Sequence, residues 1–283
     1  MKRYMAELIQ ASKQDPTEKL LSLISQYSEK QKQFFLFLDI DGTLSEFHPD
    51  PTKSFIPKNT LKILEELKKL NVQVIPVTGR SVKIAAQLFS PLHFSIAGTH
   101  GLEIKINQQY IATGVESINY SLIRKNIKTA CSPYPELLLE NKDYSIAIHY
   151  RQYPELEKTA FQIAHNIQAL HPELKINTGK YVVELLPHGA DKGQAIQKIL
   201  QYYNAPQAFT MFIGDDQTDE SGFKVINQSQ GISIKVGPEQ TLADYRLKDV
   251  KAVANFLDLF SKALAKTLLR ASQTSKGENK CLN

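Results

Sequence analysis

Apolar residues in this chain alternate between two spacings. Leu20, Leu21, Leu23, Ile24 and Tyr27 fall at helical intervals within the otherwise polar residues 1–33, which predicts a short amphipathic helix. Phe34-Phe-Leu-Phe-Leu38 is apolar at every position and stops at Asp39-Ile-Asp-Gly-Thr43, the pattern of a strand covered on both faces. After Pro57, Leu61, Leu64, Leu67 and Leu70 keep a helical period; Val72–Val77 reads as a second strand and Ser81–Leu88 as a short helix. Strand and helix in alternation predict a parallel sheet with crossover helices.

The pattern changes after Gly101. Residues 102–112, broken by Asn107-Gln-Gln, read as a hairpin; Ser145–Arg151 and Lys180–Leu186 read as strands around a helical stretch near 155–170. Pro133, Pro135, Pro154 and Pro172 are concentrated here, so the middle portion is expected to be a separate, more antiparallel module. From Lys192 the first pattern resumes. A helix runs to about Tyr203, then come strand Phe209–Ile213, loop Gly214–Glu220, a helix, strand Gly231–Val236 and a closing helix Val250–Leu269. The resulting fold is α/β, a Rossmann-like doubly wound parallel sheet interrupted by an insertion. The expected parts are a helical extension (1–33), core (34–103), inserted α/β module (104–187), core again (188–270) and a frayed tail (271–283).

Composition narrows the class without choosing the function. The 283 residues are 42% apolar and 22% charged, values of a folded globular protein. The charge balance, 34 − 29 = +5, suits an anionic small molecule as well as nucleic acid. No basic run is interleaved with aromatics, so a nucleic-acid partner is not expected. Cys131 and Cys281 form no CxxC pair, which argues against a disulfide framework or thiolate zinc and for a reducing compartment. No apolar run reaches the roughly 18 residues of a membrane span, and the charged N-terminus lacks a secretory core, so a cytoplasmic protein without membrane attachment is expected. Oligomeric state is left open, with a monomer admissible.

The candidate chemistry lies where strands end, as ligands do in open parallel sheets. Asp39 and Asp41 end the first strand, Thr78-Gly79-Arg80 the second, and Asp215-Asp216 the strand after Phe209. Converging carboxylates repel, so they imply raised pKa values or a cation, and hard oxygen donors suit Mg²⁺. Such a cation would let a carboxylate approach a phosphate. Asp39 is then placed to attack phosphorus, and Asp41, on the same side, to act as acid and base. Gly42 permits the tight turn; Thr78 offers a hydroxyl and N–H to phosphate, and Lys192 a compact positive charge.

Asp39-Ile-Asp-Gly-Thr-Leu44 resembles the first motif (DxDGT) of the haloacid dehalogenase (HAD) superfamily of phosphatases. Thr78-Gly-Arg80, Lys192-Gly193 and Gly214-Asp-Asp-Gln-Thr-Asp-Glu220 are similar to its second, third and fourth motifs, in order. Gly98-Thr-His-Gly-Leu-Glu103, Gly179-Lys180 with Glu184, and the form of the fourth motif further resemble the trehalose-6-phosphate phosphatase family, over about residues 34 to 260. The resemblance implies a HAD core with an α/β cap and Mg²⁺-dependent hydrolysis of a sugar phosphate, the last step of trehalose biosynthesis. It implies Asp39 as nucleophile, Asp41 as acid/base, and Thr78, Lys192 and Asp215 as further catalytic groups. The metal would be held by Asp39, the Asp41 carbonyl and Asp215, with Asp216 and Asp219 supporting. Substrate contacts would come from Asp39, Asp41, Gly42, Thr78, Gly79, Arg80, His100, Glu103, Arg151, Lys180 and Glu184, the last two binding sugar hydroxyls. Thr78 stands where many relatives have Ser, and Ile40 where Phe is common; neither removes a needed group.

Plainer readings exist for each residue. Asp41-Gly42 could be a turn, but Asp39 at the end of an apolar strand disfavours that. Asp219 and Glu220 could be helix-start carboxylates after a Thr218 cap, an explanation unavailable to Asp215 and Asp216. Lys192 alone would be a surface lysine. Lys180 and Glu184 sharing a strand face could be an exposed ion pair. Arg151 steers a phosphate ester or faces solvent; His100 touches substrate or makes a structural hydrogen bond; Arg80 braces carboxylates or lies on the surface. The rival functions are a phosphatase for sucrose phosphate or mannosylphosphoglycerate, and a sugar-phosphate sensor without turnover.

Overall fold

The computed structural model describes residues 15–30, 33–48, 50–111, 118–142 and 144–278. In chain order its elements are α1 (Thr17–Lys30), β1 (Phe34–Leu38), α2 (Lys58–Lys69), β2 (Val72–Pro76), α3 (Val82–Leu88), β3 (Ile96–Gly98), β4 (Glu103–Ile106) and β5 (Gln109–Ile111). Then follow α4 (Tyr120–Cys131), β6 (Leu138–Asn141), β7 (Ile146–His149), α5 (Glu157–Leu170), β8 (Leu174–Gly179) and β9 (Val182–Pro187). The chain closes with α6 (Lys192–Tyr202), β10 (Phe209–Gly214), α7 (Glu220–Gln228), β11 (Ile232–Val236), β12 (Tyr245–Leu247) and α8 (Val250–Glu278).

One sheet organises the core: five parallel strands in the order β12-β11-β10-β1-β2. Every residue of β1 is buried because successive side chains enter different layers. Phe34, Leu36 and Leu38 pack with Leu20 and Ile24 of α1, Leu64 and Leu67 of α2, and Leu257 and Phe260 of α8. Phe35 and Phe37 pack with Ile196 and Ile199 of α6 and Phe223 and Ile226 of α7. Burying such a side chain stabilises by about 2 kcal/mol, so both layers hold the central strand in register.

The inserted module is a four-stranded antiparallel sheet, β6-β7-β9-β8, with α4 and α5 against one face. Ile146, Ile148, Val183 and Leu185 point into that face, and the alternate residues form its other surface. Across that surface Glu140, Ala147, Glu184 and Asn177 stand in one row.

The structure departs from the sequence reading in several places. The 102–112 hairpin, β4 and β5, carries Ile104 and Ile106 into the core layer of Phe35 and Phe37, not into the insertion's own cluster. Helix α4 has no counterpart in the sequence pattern described above. Its signal is sparse, with only Ile123, Ile127 and Cys131 buried and Asn119 capping Leu122 N–H at 3.1 Å. Lys180 does not belong to a strand: with Tyr181 (φ 62°) it forms the turn between β8 and β9. Residues 271–278 continue α8 instead of fraying, since no proline interrupts them. Residues 1–14 of the expected extension and 279–283 of the tail lie outside the described residues.

Candidate functional site

A cavity of about 770 Å³ opens between the C-terminal ends of β1, β2 and β10 and the polar face of the inserted sheet. Asp39, Asp41, Gly42, Thr78, Gly79, Arg80, His100, Arg151, Lys180, Glu184, Lys192, Asp215 and Asp216 all line it. Glu103 does not. It is buried beneath the loop, where it accepts from Thr99 Oγ1 and, at 3.3 Å, from Val82 N–H. Its expected place at the substrate is corrected to one that braces the Thr99-His100 segment.

Asp39 ends β1 and is 5% exposed. Its Oδ1 accepts from Lys192 Nζ at 2.9 Å, and Lys192, itself 2% exposed, also donates to Asp219 Oδ1 at 2.6 Å. Lys192 reaches both because Gly193 lets α6 lie against α7: a Cβ there would sit 2.5 Å from the Ser221 carbonyl oxygen. The lysine is therefore no surface residue, and the two carboxylates hold its pKa high against the effect of burial. Gly42, at φ +79°, allows the turn after Asp41. A Cβ on it would fall 2.0 Å from an oxygen of Asp215, so only glycine leaves room for that carboxylate.

Asp39, Asp215 and Asp219 each bring a carboxylate oxygen within 4.8 Å of the others. Burial, with repulsion from the neighbouring carboxylates, pushes Asp39 and Asp215 well above the usual carboxylate range; Lys192 offsets only part of this. Both Asp219 oxygens are engaged, one by Lys192 and one by the N–H of Asp216 at 2.9 Å. That leaves, among the described residues, the second oxygen of Asp39 and the carboxylate of Asp215 facing each other without a cation of their own, a hard-oxygen donor set that fits a divalent cation such as Mg²⁺. Asp41 lies outside the cluster by its side chain, held by Arg80 through Nε at 2.6 Å and Nη2 at 2.7 Å. This fork is the brace expected of Arg80, directed at Asp41. Asp216, not Thr218, caps the next helical turn, in a reciprocal box with Asp219. The N–H of Thr78 is taken by the Ala97 carbonyl at 2.9 Å, so only its hydroxyl remains to face the cavity.

The opposite wall comes from the insertion. Glu184, expected beside Lys180, is 6% exposed and meets other partners: Lys142 Nζ at 2.7 Å, Ser145 Oγ at 2.6 Å and His100 Nε2 at 3.0 Å. Burial would raise its pKa, yet Lys142 and His100 bring it well below normal. Lys142 also donates to the Gly79 carbonyl at 3.2 Å and so ties the insertion to the end of β2. Arg151 donates to the His48 carbonyl, its guanidinium 3.8 Å from the centre of the Phe47 ring. Lys180 lies over the same ring at 5.6 Å. His100, which lines the cavity, and the buried Thr99 before it hold positive φ angles of 55° and 45°, a strained pair of non-glycine residues. Sequence reasoning missed Lys142, Glu140, His149 and Asn177. A lysine in a polar loop carries no local signal, and the row across the sheet exists only once strands distant in sequence pair.

The trehalose-phosphatase family model matches residues 37–251. A trehalose-6-phosphate phosphatase of Escherichia coli (strain K12) is 34% identical over 243 residues, 85% of this chain and 91% of its own. Trehalose-phosphate phosphatase B of Arabidopsis thaliana is 31% identical, covering 84% of this chain and 69% of its own. Among solved structures, the C-terminal domain of the C. albicans trehalose-6-phosphate phosphatase superposes with a TM-score of 0.76 at 20% identity. That match covers 89% of this chain and 98% of that domain, and it supports the α/β fold with its inserted module. The matched segment runs from the first strand through the cap to the closing helix, and this chain belongs to the trehalose-phosphatase family.

Proposed function

We propose that this enzyme hydrolyses trehalose 6-phosphate to trehalose and phosphate with Mg²⁺, the last step of trehalose biosynthesis, in the cytoplasm. The observation that carries the reading is a buried carboxylate cluster with one lysine, facing a polar row of cap residues across a cavity of about 770 Å³. That space suits a small phosphorylated sugar and excludes a folded phosphoprotein.

Asp39 Oδ1 is held by Lys192, which leaves its other oxygen to attack phosphorus as the sugar oxygen departs. Asp41 gives a proton to that oxygen, then takes one from the water that cleaves the aspartyl-phosphate. Arg80 fixes the Asp41 rotamer meanwhile. Lys192 and the Thr78 hydroxyl balance phosphate charge from the floor. Mg²⁺, held by Asp39 and Asp215 with the Asp41 carbonyl, would neutralise charge between carboxylate and phosphate. Arg151, Lys180 and the Glu184 network meet the sugar from the cap.

Phosphate release from a panel of sugar phosphates, with Mg²⁺ and with EDTA, tests this. Mg²⁺-dependent preference for trehalose 6-phosphate is expected. Activity on another sugar phosphate would overturn the substrate, and binding without release would turn the protein into a sensor.

A further inference from the structure

Lys235 sits where a cation is costly. It lies within β11 between Ile234 and Val236 and is 2% exposed. Burying an ammonium is strongly unfavourable unless oxygens replace its water. Its carboxylate partner, Glu239 at 3.2 Å, has a side chain 67% exposed, so a solvent-screened pair does not account for the burial. The other acceptors are backbone carbonyls, those of Val236 at 2.9 Å and of Asp215. Gly214 stands opposite Lys235 in the parallel pairing of β10 with β11, so the lysine reaches the residue just beyond the end of β10.

The peptide between Asp215 and Asp216 is thereby gripped on both sides. Its oxygen accepts from Lys235, and its N–H donates to Asp219 Oδ2 at 2.9 Å. A cation at the oxygen and a carboxylate at the N–H both favour this orientation of the peptide dipole. The same Asp219 binds Lys192, and Lys192 binds Asp39, so one chain of contacts runs from β11 to the nucleophile. The Asp215 carboxylate fills the space against Gly42, where a Cβ would fall 2.0 Å from its oxygen, so its place depends on how the backbone at this residue is set. We propose that Lys235 is a positioning residue: its ammonium locks the Asp215–Asp216 peptide and thereby holds the Asp215 carboxylate toward Asp39. The role rests on the phosphatase reading above, and it concerns the chemical step, not sugar recognition.

Lys235→Met removes the ammonium and keeps most of the length. Its kcat is expected to fall about tenfold or more on both trehalose 6-phosphate and p-nitrophenyl phosphate, with each KM within about threefold of wild type. The Mg²⁺ dissociation constant, read by calorimetry on substrate-free protein, is expected to rise about fivefold or more. Lys235→Arg, which keeps charge and donors, should recover most of both. A folded Lys235→Met with wild-type kcat and Mg²⁺ affinity, even if it melts lower, overturns the proposal. If that variant does not fold, Lys235→Gln is read by the same two numbers. Should wild type spare trehalose 6-phosphate, the substrate reading fails, and the Mg²⁺ isotherm still decides Lys235.

Discussion

Asp39 carries the most exacting prediction at the level of single residues. Asp39→Asn keeps shape and a hydrogen-bond acceptor but removes the nucleophile, so phosphate release should fall by about 10³-fold or more while calorimetry still detects substrate binding. Substantial residual turnover would remove Asp39 from that role. Glu184 sets a pH dependence of another kind. Its folded pKa is depressed, so the stability it contributes is present above the unfolded value of 4.5 and is lost as pH falls through lower values. Lys142, raised by Glu184 and Glu140 against burial, contributes below 10.5 and loses that contribution as pH rises beyond it. Glu184→Gln should therefore flatten the acid limb of a melting-temperature profile. It should also cost about 3–5 kcal/mol at neutral pH, because Lys142 is left buried without its carboxylate. An unchanged acid limb would mean that the network does not bear on stability. At this scale the strand-end residues were readable because an aspartate closing an all-apolar run has no structural excuse. Glu103 was not legible for the opposite reason: spacing puts it near the motifs, whereas its hydrogen bonds brace a buried loop; Lys180 reaches the cavity as expected, but from a hairpin turn and not from a strand.

Among the elements, β1, β2 and β10 were legible because a sheet buried on both faces writes itself as apolar runs, interrupted here only by Gln73 in β2 and Thr210 in β10. β6 and β12 were not. An edge strand of three or four residues with exposed Leu138, or with half-buried Arg246, carries no period to detect. Helix α1 was visible in its spacing, and the structure adds what it packs on: Leu20, Leu23 and Ile24 join Leu257 and Phe260 of α8 in one cluster. Among the described residues of α1, none lines the cavity. Leu20→Ala should accordingly destabilise by about 2–5 kcal/mol in urea unfolding and leave kcat at 25 °C unchanged. A large loss of kcat in the folded variant would tie the helix to the site.

At the scale of the whole molecule, the polar contacts that fasten cap to core around the cavity include, among the described residues, Lys142 to the Gly79 carbonyl, Glu184 to His100, and Arg151 to the His48 carbonyl. If Arg151 serves the sugar side of the cavity, Arg151→Ala should lower kcat/KM for trehalose 6-phosphate about tenfold, some 1.4 kcal/mol, and for p-nitrophenyl phosphate far less. Equal losses would assign it to the core. The change of period after Gly101 does not show where the insertion starts, since the hairpin that follows packs with Phe35 and Phe37, and the cavity was equally illegible because it depends on which faces meet.

The order of strands has one more consequence. β1 lies between β2 and β10, and β10 is made only after the entire cap. A growing chain therefore carries Asp39 and Asp41 long before it carries Lys192, Asp215 or Asp219. The nucleophile acquires its lysine in the same long-range docking that gives β1 its second neighbour, a pairing of high sequence separation that is slow to form. An unfinished polypeptide has neither the sheet nor the chemistry, and the return of phosphate release during refolding times the moment the two distant halves of the core close on each other.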